Sequence, residues 1–251
     1  MELINLYNQQ GKQIDLTLLG LEGSSLQIPP PSYSREVEKL DGQDGEITLS
    51  KTLNPRPITA LFRMKKASYE DLLQGRDELH HLLGSGDSFF VEEAYLPGKW
   101  WLVQITDWAS TRINPAASRL EIPMVADRGV AETRMLKPYR FNKPSFHVKN
   151  EGTYRIDMRQ QEETEISFTG TYQQNLTIRN KTTGEEWRHN ASNITGETVL
   201  LKGVRSTIQG SSIFAQTNKK LLTLVPGWNE FEIEGADDGF ELIVRTRSYF
   251  L

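Results

Sequence analysis

The sequence predicts a mainly β protein, with an N-terminal β domain that carries one packed helix and a C-terminal β-sandwich. Apolar residues recur with a period of two in several short segments, and only one segment has the 3.6-residue period of a helix. Short strand-like segments separated by turn residues fill the second half. The 251 residues, of which 37% are hydrophobic, can form one large β domain or two ordinary ones.

Two strands of the first half are predicted from alternation alone. Over 57–64, apolar residues alternate after Pro57, which can begin a strand because its missing N–H then removes no ladder bond. Over 120–124 the alternation returns, but Pro123 removes one backbone donor. Because proline is tolerated mainly on edge strands, we expect 120–124 to lie at an edge of the sheet.

A third strand is predicted over 100–106. Trp101, Val103 and Ile105 share one face of it, and Trp100 begins the other. Both faces are largely apolar, so we expect the strand to be covered on both sides. Trp100, Trp101, Val103 and Ile105 are therefore the candidate core or oligomer-interface residues.

One helix is predicted over 69–83. Ser68 can cap its N-terminus, with Asp71 completing a capping box, and Gly84 stands where a left-handed glycine commonly ends a helix. Its apolar residues follow helical spacing: Tyr69, Leu72, Leu73, Leu79, Leu82 and Leu83. A single helix among many strands indicates a sheet with one helix packed on it.

A domain boundary is predicted near residue 137. Residues 137–144 contain two prolines and no hydrophobic period, which indicates a linker between a domain at 1–137 and one at 138–251. Residues 1–137 contain 15 Lys or Arg and 19 Asp or Glu, a net charge of −4, whereas 138–251 contain 14 of each. Short strands then predict an all-β sandwich; they are expected over 154–158, 165–169, 176–180, 198–201, 221–225, 230–234 and 240–246.

Two turns of the second half are predicted from their residues. Val225-Pro226-Gly227-Trp228 fits a type II turn, with proline in the second place and glycine in the third. Residues 235–239 begin and end with glycine, and we expect them to join the last two strands as a hairpin loop.

No catalytic, metal-binding or cofactor-binding constellation can be proposed. The absence of cysteine excludes disulfides, thiolate metal sites and a cysteine nucleophile. His80 and His81 are neighbours on the predicted helix and point in different directions, and His147 and His189 are isolated on β segments. We therefore expect no enzyme, no metal and no cofactor. No apolar run reaches the length of about 18 residues that a spanning helix needs, so no membrane partner is expected.

Two tryptophans of the second half, Trp187 and Trp228, are the candidate glycan-stacking residues. Aromatic rings exposed on a β-sandwich can bind sugars by stacking on the ring faces. The alternative, which we favour, is that the two rings fill a sandwich core or a subunit interface.

Several of these motifs follow one another along the chain in an order that can be compared with that of known protein families. Residues 45–49 (GEITL) and 54–58 (NPRPI) precede the first clear strand and the helix, and 100–103 (WWLV) follow. Near the other end, a Pro-Gly-Trp-Asn turn within 224–230 precedes the terminal strand at 242–247. This order resembles the distal tail (Dit-like) protein family of long-tailed phages with non-contractile, siphovirus-type tails.

The resemblance implies an N-terminal β domain assembled into a six-membered ring and a C-terminal sandwich that resembles galectins or carbohydrate-binding modules. It also implies that the ring lies between the tail tube protein and the tail-tip or baseplate proteins, and lines the channel through which DNA passes without specific binding. The net negative charge of 1–137 suits such a channel, because anionic walls repel phosphate.

The leading hypothesis is a structural hub of a phage tail tip or baseplate: a hexameric ring that joins the tail tube to tail-tip and receptor-binding proteins. The alternative is a carbohydrate-binding β-sandwich protein that mediates adsorption to the host surface. We expect assembly in the host cytoplasm, since the N-terminus has no signal-peptide pattern and the chain has no cysteine. The final location would be the tail tip of the virion.

Overall fold

The computed structural model describes residues 3–42, 44–161, 163–191 and 194–251. Its contacts divide the chain into two compact units, unit 1 (Met1–Glu132 with Leu251) and unit 2 (Thr133–Phe250). The sequence places the boundary between domains after residue 137, and the contacts divide between Glu132 and Thr133. No helix among the described residues is long and apolar enough to cross a membrane.

Unit 1 is built from eleven strands and the predicted helix. In chain order these are β1 (Ile4–Tyr7), β2 (Gln13–Ile14), β3 (Leu21–Gln27), β4 (Tyr33–Glu38), β5 (Ile47–Leu53), β6 (Arg56–Lys65), α1 (Tyr69–Leu83), β7 (Ser88–Glu93), β8 (Trp101–Ile105), β9 (Ala109–Asn114), β10 (Ala117–Ala126) and β11 (Ala131–Glu132).

The main sheet of unit 1 has eight strands in the order β2-β1-β7-β8-β10-β6-β3, with β9 also paired to β10. The two longest strands, β6 and β10, pair along their whole length, from Lys65 opposite Ala117 to Arg56 opposite Ala126. Their alternate side chains form the centre of the core, because a period of two puts them all on one face; these are Ile58, Ala60, Phe62, Met64, Leu120, Ile122 and Met124.

The prediction that Pro123 marks an edge strand is wrong, because β10 lies in the interior of the sheet. The Pro123 carbonyl accepts a hydrogen bond from the Thr106 backbone N–H at 3.2 Å. In an antiparallel strand, the N–H and C=O of one residue point to the same side. The side of Pro123 that lacks an N–H therefore faces the place where β10 stops pairing with β9 and begins to pair with β8. The missing donor costs the sheet no hydrogen bond at this place.

The sheet of unit 1 curls so that β3 approaches β1. The close approach occurs at Gly23, where an added Cβ would lie 3.1 Å from the Cβ of Ile4. A larger residue at position 23 would push the two strands apart. Helix α1 buries Leu72, Leu79 and Leu83 on one side, as the helical spacing predicts.

The start of α1 is as predicted, but its end differs in detail. Ser68 Oγ accepts a hydrogen bond from the Asp71 N–H at 3.1 Å and donates one to the Asp71 carboxylate at 2.7 Å. Gly84 ends the helix with a φ of −81°, so it is not the left-handed glycine expected there. Glycine is still required by space, since a Cβ would lie 2.5 Å from the carbonyl oxygen of His80.

Unit 2 is built from thirteen strands and one short 3₁₀ turn. In chain order these are β12 (Lys137–Phe141), β13 (Ser145–Asn150), β14 (Ile156–Asp157), β15 (Glu165–Tyr172), β16 (Leu176–Asn180), β17 (Glu185–His189), β18 (Ile194–Lys202), β19 (Arg205–Ile208), β20 (Ser211–Ser212), the 3₁₀ turn (Phe214–Gln216), β21 (Thr223–Leu224), β22 (Gly227–Glu234), β23 (Glu241–Thr246) and β24 (Tyr249–Phe250).

Two larger sheets enclose the core of unit 2. One has the order β12-β23-β15-β18-β19-β20, the other β13-β22-β16-β17, and β14 pairs with β21. Their fully buried rings include Phe168, Tyr172, Trp187 and Phe231. The mainly β fold with one α-helix is therefore confirmed for the described residues, whereas the galectin-like character of unit 2 stays a prediction.

Two predictions about connections in unit 2 are wrong. Residues 137–141 of the predicted linker form β12, which pairs with β23 from Lys137 opposite Thr246 to Phe141 opposite Leu242. The loop at 235–239 does not close a hairpin, because the strands that it joins, β22 and β23, belong to different sheets. It is a crossover between the two sheets of the sandwich.

Candidate functional site

The most exposed secondary structure of unit 1 is the hairpin of β4 and β5, here called the arm (residues 33–53). Its strands pair only with each other, from Tyr33 opposite Leu53 to Glu38 opposite Ile47. Every residue of β4 is exposed, and in β5 only Leu53 is half-buried. Large apolar side chains lie in the open along the arm: Tyr33, Val37, Leu40, Ile47 and Leu49. A two-stranded hairpin buries too little to be stable by itself in water, so the arm is a surface that needs a cover.

The half of the arm nearest its turn is acidic. Residues 36–46 contain the carboxylates of Glu36, Glu38, Asp41, Asp44 and Glu46 and a single cation, Lys39. The described residues of the turn are exposed, and a Cβ added at Gly42 or Gly45 would meet nothing within 4 Å. The arm therefore offers apolar side chains and negative charge together.

The four candidate core or interface residues of β8 lie in or beside the core of unit 1. Trp101 and Val103 are buried, and Ile105 is half-buried. Trp100 is buried just before β8, where its backbone bridges to Glu132. The expectation that this strand is covered on both faces is wrong, because Leu102 is half-buried and Gln104 is exposed. A role of these residues at a ring interface stays a prediction.

A buried carboxylate, Glu92, fixes the position of Trp100. It accepts hydrogen bonds from the Tyr7 hydroxyl at 2.7 Å, the Gly98 N–H at 2.6 Å, the Trp100 Nε1–H at 3.0 Å and the Asn5 amide at 3.3 Å. Burial opposes ionisation of Glu92, but these hydrogen bonds outweigh it and hold the pKa of the carboxyl below its usual range. The Tyr7 ring stacks on Trp100 with their centroids 4.2 Å apart.

A buried cation, Arg56, lies at the start of β6, directly after the arm. Its side chain is 4% exposed and lies over the Trp101 ring, 5.0 Å from the centroid. Its Nε and one terminal nitrogen have no hydrogen-bond partner among the described residues. Burial lowers the pKa of Arg56, and the nearby Tyr33 opposes that shift. The base of the arm therefore contains a buried cation with two nitrogens that no described residue pairs.

The two candidate glycan-stacking residues lie in opposite environments. Trp187 is fully buried in the core of unit 2, and its Nε1–H donates a hydrogen bond to Ser206 Oγ at 3.1 Å. A ring with no exposed face cannot stack on a sugar, so Trp187 is removed from the candidate pair. Trp228 is 63% exposed and keeps an open ring.

The surroundings of Trp228 are polar and built on paired strands. Lys149 lies directly opposite Trp228 on β13, and its ammonium is 5.7 Å from the ring centroid. His147 lies opposite Glu230 and meets the Trp228 ring edge-on, with centroids 6.5 Å apart. An exposed indole flanked by hydrogen-bonding groups is an arrangement that can bind a sugar.

The predicted type II turn holds Trp228 in place. Gly227 has a φ of 91°, the left-handed value that the third place of this turn requires. The buried Asn229 closes the turn, since its Oδ1 accepts from the Val225 N–H at 2.9 Å and its Nδ2 donates to the Val225 carbonyl at 2.8 Å. Sequence reasoning found the turn but missed Asn229, for which the only signal is an asparagine directly after a turn.

No catalytic arrangement emerges from the geometry. Among the described residues, no group of three His, Asp or Glu side chains could hold a metal ion. His189 is buried between the Tyr172 hydroxyl at 2.6 Å and the Gln216 side chain at 3.1 Å, a pairing typical of a packed core. His80 meets Trp108 edge-on with centroids 4.5 Å apart, which is also a packing contact.

Comparison with known proteins identifies the first unit. Residues 9–126 match the family model of the phage tail protein RIFT-related domain. No curated protein sequence matches the chain. The match covers most of unit 1, including the arm, α1 and β10.

The fold of the whole chain is similar to the crystal structure of the Dit protein (gp 19.1) of phage SPP1, described as a paradigm of the hub adsorption apparatus in phages that infect Gram-positive bacteria. The TM-score is 0.74 at 11% sequence identity, over 98% of this chain and 99% of that one. Structures of the phage P2 baseplate in its activated conformation, with Ca and with Sr, give TM-scores of 0.46 at 9% and 10% identity, over 98% of both chains. The predicted resemblance to Dit-like proteins is confirmed, and the chain has the fold of a phage tail hub protein.

Proposed function

We propose that the chain is the structural hub of a siphovirus-type tail tip, because residues 9–126 match the family model of the phage tail protein RIFT-related domain. In this proposal six copies form a ring that joins the tail tube to the tail-tip or baseplate proteins, and the chain has no enzymatic role. The observation that carries the proposal is the arm, because its exposed apolar side chains require a cover that unit 1 does not supply.

The proposed ring requires one kind of contact at the arm. In this proposal the arm of each copy meets a different surface of the next copy without reciprocal exchange, which is a head-to-tail contact. Head-to-tail contacts form a closed ring when the rotation between copies completes a circle. The proposed partners are the tail tube protein on one side and tail-tip or receptor-binding proteins on the other.

The channel of the proposed ring would let DNA pass without binding it. The net charge of −4 in residues 1–137 supports this, because an anionic wall repels the phosphate backbone. Assembly would take place in the host cytoplasm, and the finished ring would be part of the virion tail.

The test is the mass of the purified chain in solution, with negative-stain electron micrographs of the same sample. We expect a species of six chains, or two such rings stacked, and ring-shaped particles. A chain that stays monomeric at high concentration, both alone and with its tail tube protein, would contradict the proposal. Tight binding of duplex DNA by the ring at physiological salt would contradict the repulsive channel.

A second candidate function, carbohydrate binding at the host surface, is favoured by the exposed Trp228 beside His147, Lys149 and Glu230. A glycan array with the purified chain tests it, and Trp228→Ala against Trp228→Phe separates stacking from folding. The candidate predicts that alanine abolishes binding and phenylalanine retains part of it. If the unmodified chain binds no glycan, or if alanine leaves binding unchanged, this candidate is wrong.

A further inference from the structure

The turn between β18 and β19 brings two cations of unit 2 together. Lys202 ends β18 and Arg205 begins β19, and the two residues lie directly opposite each other on either side of Gly203 and Val204. Both cationic side chains are exposed. Like charges at directly opposite positions of an antiparallel pair repel each other, so the two cations gain from an anion that lies between them.

The same turn forms the wall of a groove. The groove has a volume of about 220 Å³ and is lined by Arg159, Lys202, Gly203, Val204 and Arg205. Three of these five residues are cations, and no described carboxylate lines the groove. Arg159 comes from the segment that follows β14, so two separate parts of the chain supply the positive charge. A concave surface lined by charges of one sign concentrates their field and attracts an anion more strongly than scattered cations do.

The described carboxylates next to the groove are held by other groups. Glu165 lies opposite Lys202 on β15, but its carboxylate forms an ion pair with Arg245 of β23. Asp157 accepts a hydrogen bond from the backbone N–H of Arg159 at 2.9 Å, and its other oxygen lies 3.4 Å from a terminal nitrogen of the same arginine. The two cations of the turn therefore form no ion pair within the described part of the chain.

The backbone on both sides of the groove is held in place. Asp157, which carries the contacts to Arg159, is buried. The N–H of Gly203 donates a hydrogen bond to the Thr164 carbonyl at 3.2 Å. Gly203 is buried and has a φ of 55°, in the left-handed region that glycine adopts without strain. An anion that binds in the groove therefore has to order only the ends of long side chains, which lowers the entropy cost of binding.

The chemistry of the lining favours a phosphate group that carries a carbon substituent. A guanidinium group binds phosphate through two parallel hydrogen bonds, and an ammonium group adds a compact charge. A phosphate monoester has three acceptor oxygens and a charge of about −1.5 to −2, so it suits a groove with three cations better than a carboxylate does. Val204 is 53% exposed beside the two cations of the turn and offers apolar surface to the carbon part of an ester.

We propose that this groove binds a small phosphate monoester. Arg159 and Arg205 donate hydrogen bonds to the phosphate oxygens. Lys202 supplies the third positive charge, and Val204 contacts the carbon part of the ligand. The groove lies beside β18 and β19, whereas Trp228 belongs to β22 of the other large sheet, so this site is separate from the candidate sugar platform. It lies within unit 2 and does not depend on the proposed ring.

The test is equilibrium dialysis of the purified full chain against radiolabelled glycerol phosphate and, separately, against radiolabelled inorganic phosphate. Sodium chloride keeps the ionic strength constant throughout, so that general screening of charge does not change between samples. We expect saturable binding of both ligands. The ester should bind more tightly than inorganic phosphate, because only the ester has a carbon part that can contact Val204.

Single substitutions in the turn supply the decisive comparison. Lys202→Gln and Arg205→Gln each remove one charged donor, and we expect each to weaken binding of glycerol phosphate by more than about tenfold. Arg205→Lys keeps the charge but loses the planar fork, so it should retain part of the affinity. The matched control is Lys143→Gln, which removes the same charge from an exposed lysine between β12 and β13 and should bind like the native chain. Thermal unfolding of each variant shows that it is folded.

Several results would overturn the inference. If the native chain shows no saturable binding at constant ionic strength, the cations attract only a diffuse layer of counterions. If Lys202→Gln and Lys143→Gln bind equally well, the phosphate binds elsewhere. Inorganic phosphate that binds as tightly as glycerol phosphate would contradict the assignment to an ester. If the native chain binds short duplex DNA but not glycerol phosphate, and the turn variants lose the DNA, the groove serves nucleic acid. None of these results changes the proposed ring, which the mass of the chain tests separately.

Discussion

Two hairpins of this chain have similar backbones and opposite surroundings. Strands β16 and β17 pair from Leu176 opposite His189 to Asn180 opposite Glu185 within a four-stranded sheet, and most of their residues are buried. Strands β4 and β5 of the arm are exposed along nearly their whole length. A lone hairpin is marginal in water. One hairpin is completed by its own sheet, whereas the arm is left exposed within the described residues.

Truncating one apolar side chain in each hairpin should give the largest contrast. Trp187→Ala in β17 removes a fully buried indole, and we expect the free energy of unfolding to fall by about 3–5 kcal/mol. Leu49→Ala in β5 removes a side chain that is 56% exposed, and we expect a change below about 0.5 kcal/mol in the monomer. Urea unfolding followed by circular dichroism measures both values. Equal losses of unfolding free energy in the two variants would contradict the expected difference between the hairpins.

The comparison extends to buried polar groups, and Glu92 is one with several hydrogen-bond partners. Glu92→Gln leaves several donors poorly paired, and we expect unit 1 to lose about 2 kcal/mol near neutral pH. Because the pKa of Glu92 in the folded chain lies below its unfolded value of 4.5, its contribution is complete above that value and is lost as the pH falls through the folded pKa. Thermal unfolding near neutral pH and in acid checks this.

The adjacent residue supplies the control for Glu92. Glu93 is half-buried on the same strand, and Glu93→Gln should change neither the stability near neutral pH nor the response to acid. The prediction is contradicted if Glu92→Gln and Glu93→Gln lose equal stability near neutral pH. It is also contradicted if acid lowers the stability of Glu92→Gln as much as it lowers that of the native chain.

Arg56 is a buried polar group with two unpaired nitrogens among the described residues, and here we expect a gain. Arg56→Met removes a guanidinium whose desolvation is not compensated, and we expect the monomer to gain about 1 kcal/mol after the contact with Trp101 is lost. Arg76→Met, which removes an exposed arginine of α1 beside Asp77, should change stability by less than about 0.5 kcal/mol. Differential scanning calorimetry measures both, and a loss of stability on Arg56→Met would show that the cation already has a partner.

The smallest effect on stability is expected at the ion pairs on the solvent-exposed side of the hairpin of β16 and β17. Arg179 of β16 pairs with Glu186 at 3.1 Å and with Glu234 at 3.0 Å, and these charges raise its pKa. Exposed ion pairs are screened by salt and contribute little. Arg179→Met should therefore move the unfolding midpoint slightly at low salt and not at all at high salt. A large shift that persists at high salt would contradict the prediction.

The sequence predicts the helices and strands that have a long hydrophobic pattern, or that have a capping or turn residue at their ends. The helix at 69–83 is confirmed to the residue, because Ser68 caps it and Gly84 stops it. The left-handed φ of Gly227 also agrees with the type II turn that the sequence predicts. Strands β6 and β10 are found because apolar residues alternate over 57–64 and 120–124, although each strand extends beyond the predicted range.

The sequence does not predict which sheet a strand joins. Pro123 misleads because the position of its missing donor depends on where β9 ends and β8 begins. The loop at 235–239 has turn chemistry that suits a hairpin as well as a crossover, and only the pairing of β22 with β13 decides between them. The sequence also does not show that Trp187 is buried and Trp228 is exposed. Each tryptophan lies in a strand and follows a charged residue or a glycine, so the local pattern does not separate them.

The candidate site was the least predictable part of the chain. Residues 45–49 contribute to the family resemblance, but the exposure of the whole arm is a property of the fold, because alternation describes a strand buried on one face as well as one buried on neither. The pairing of Arg119 with Arg63 likewise depends on register, which brings together residues far apart in the chain.

The carboxylates near the turn of the arm also affect whether chains with an uncovered arm aggregate. An uncovered hairpin with free edges and apolar side chains is the kind of segment from which fibrils grow, one copy stacking on the next. Two arms brought edge to edge would bring Glu36, Glu38 and Glu46 of both copies together, and this repulsion discourages the stack. These carboxylates thus act as gatekeepers against the stacking of one exposed hairpin on another.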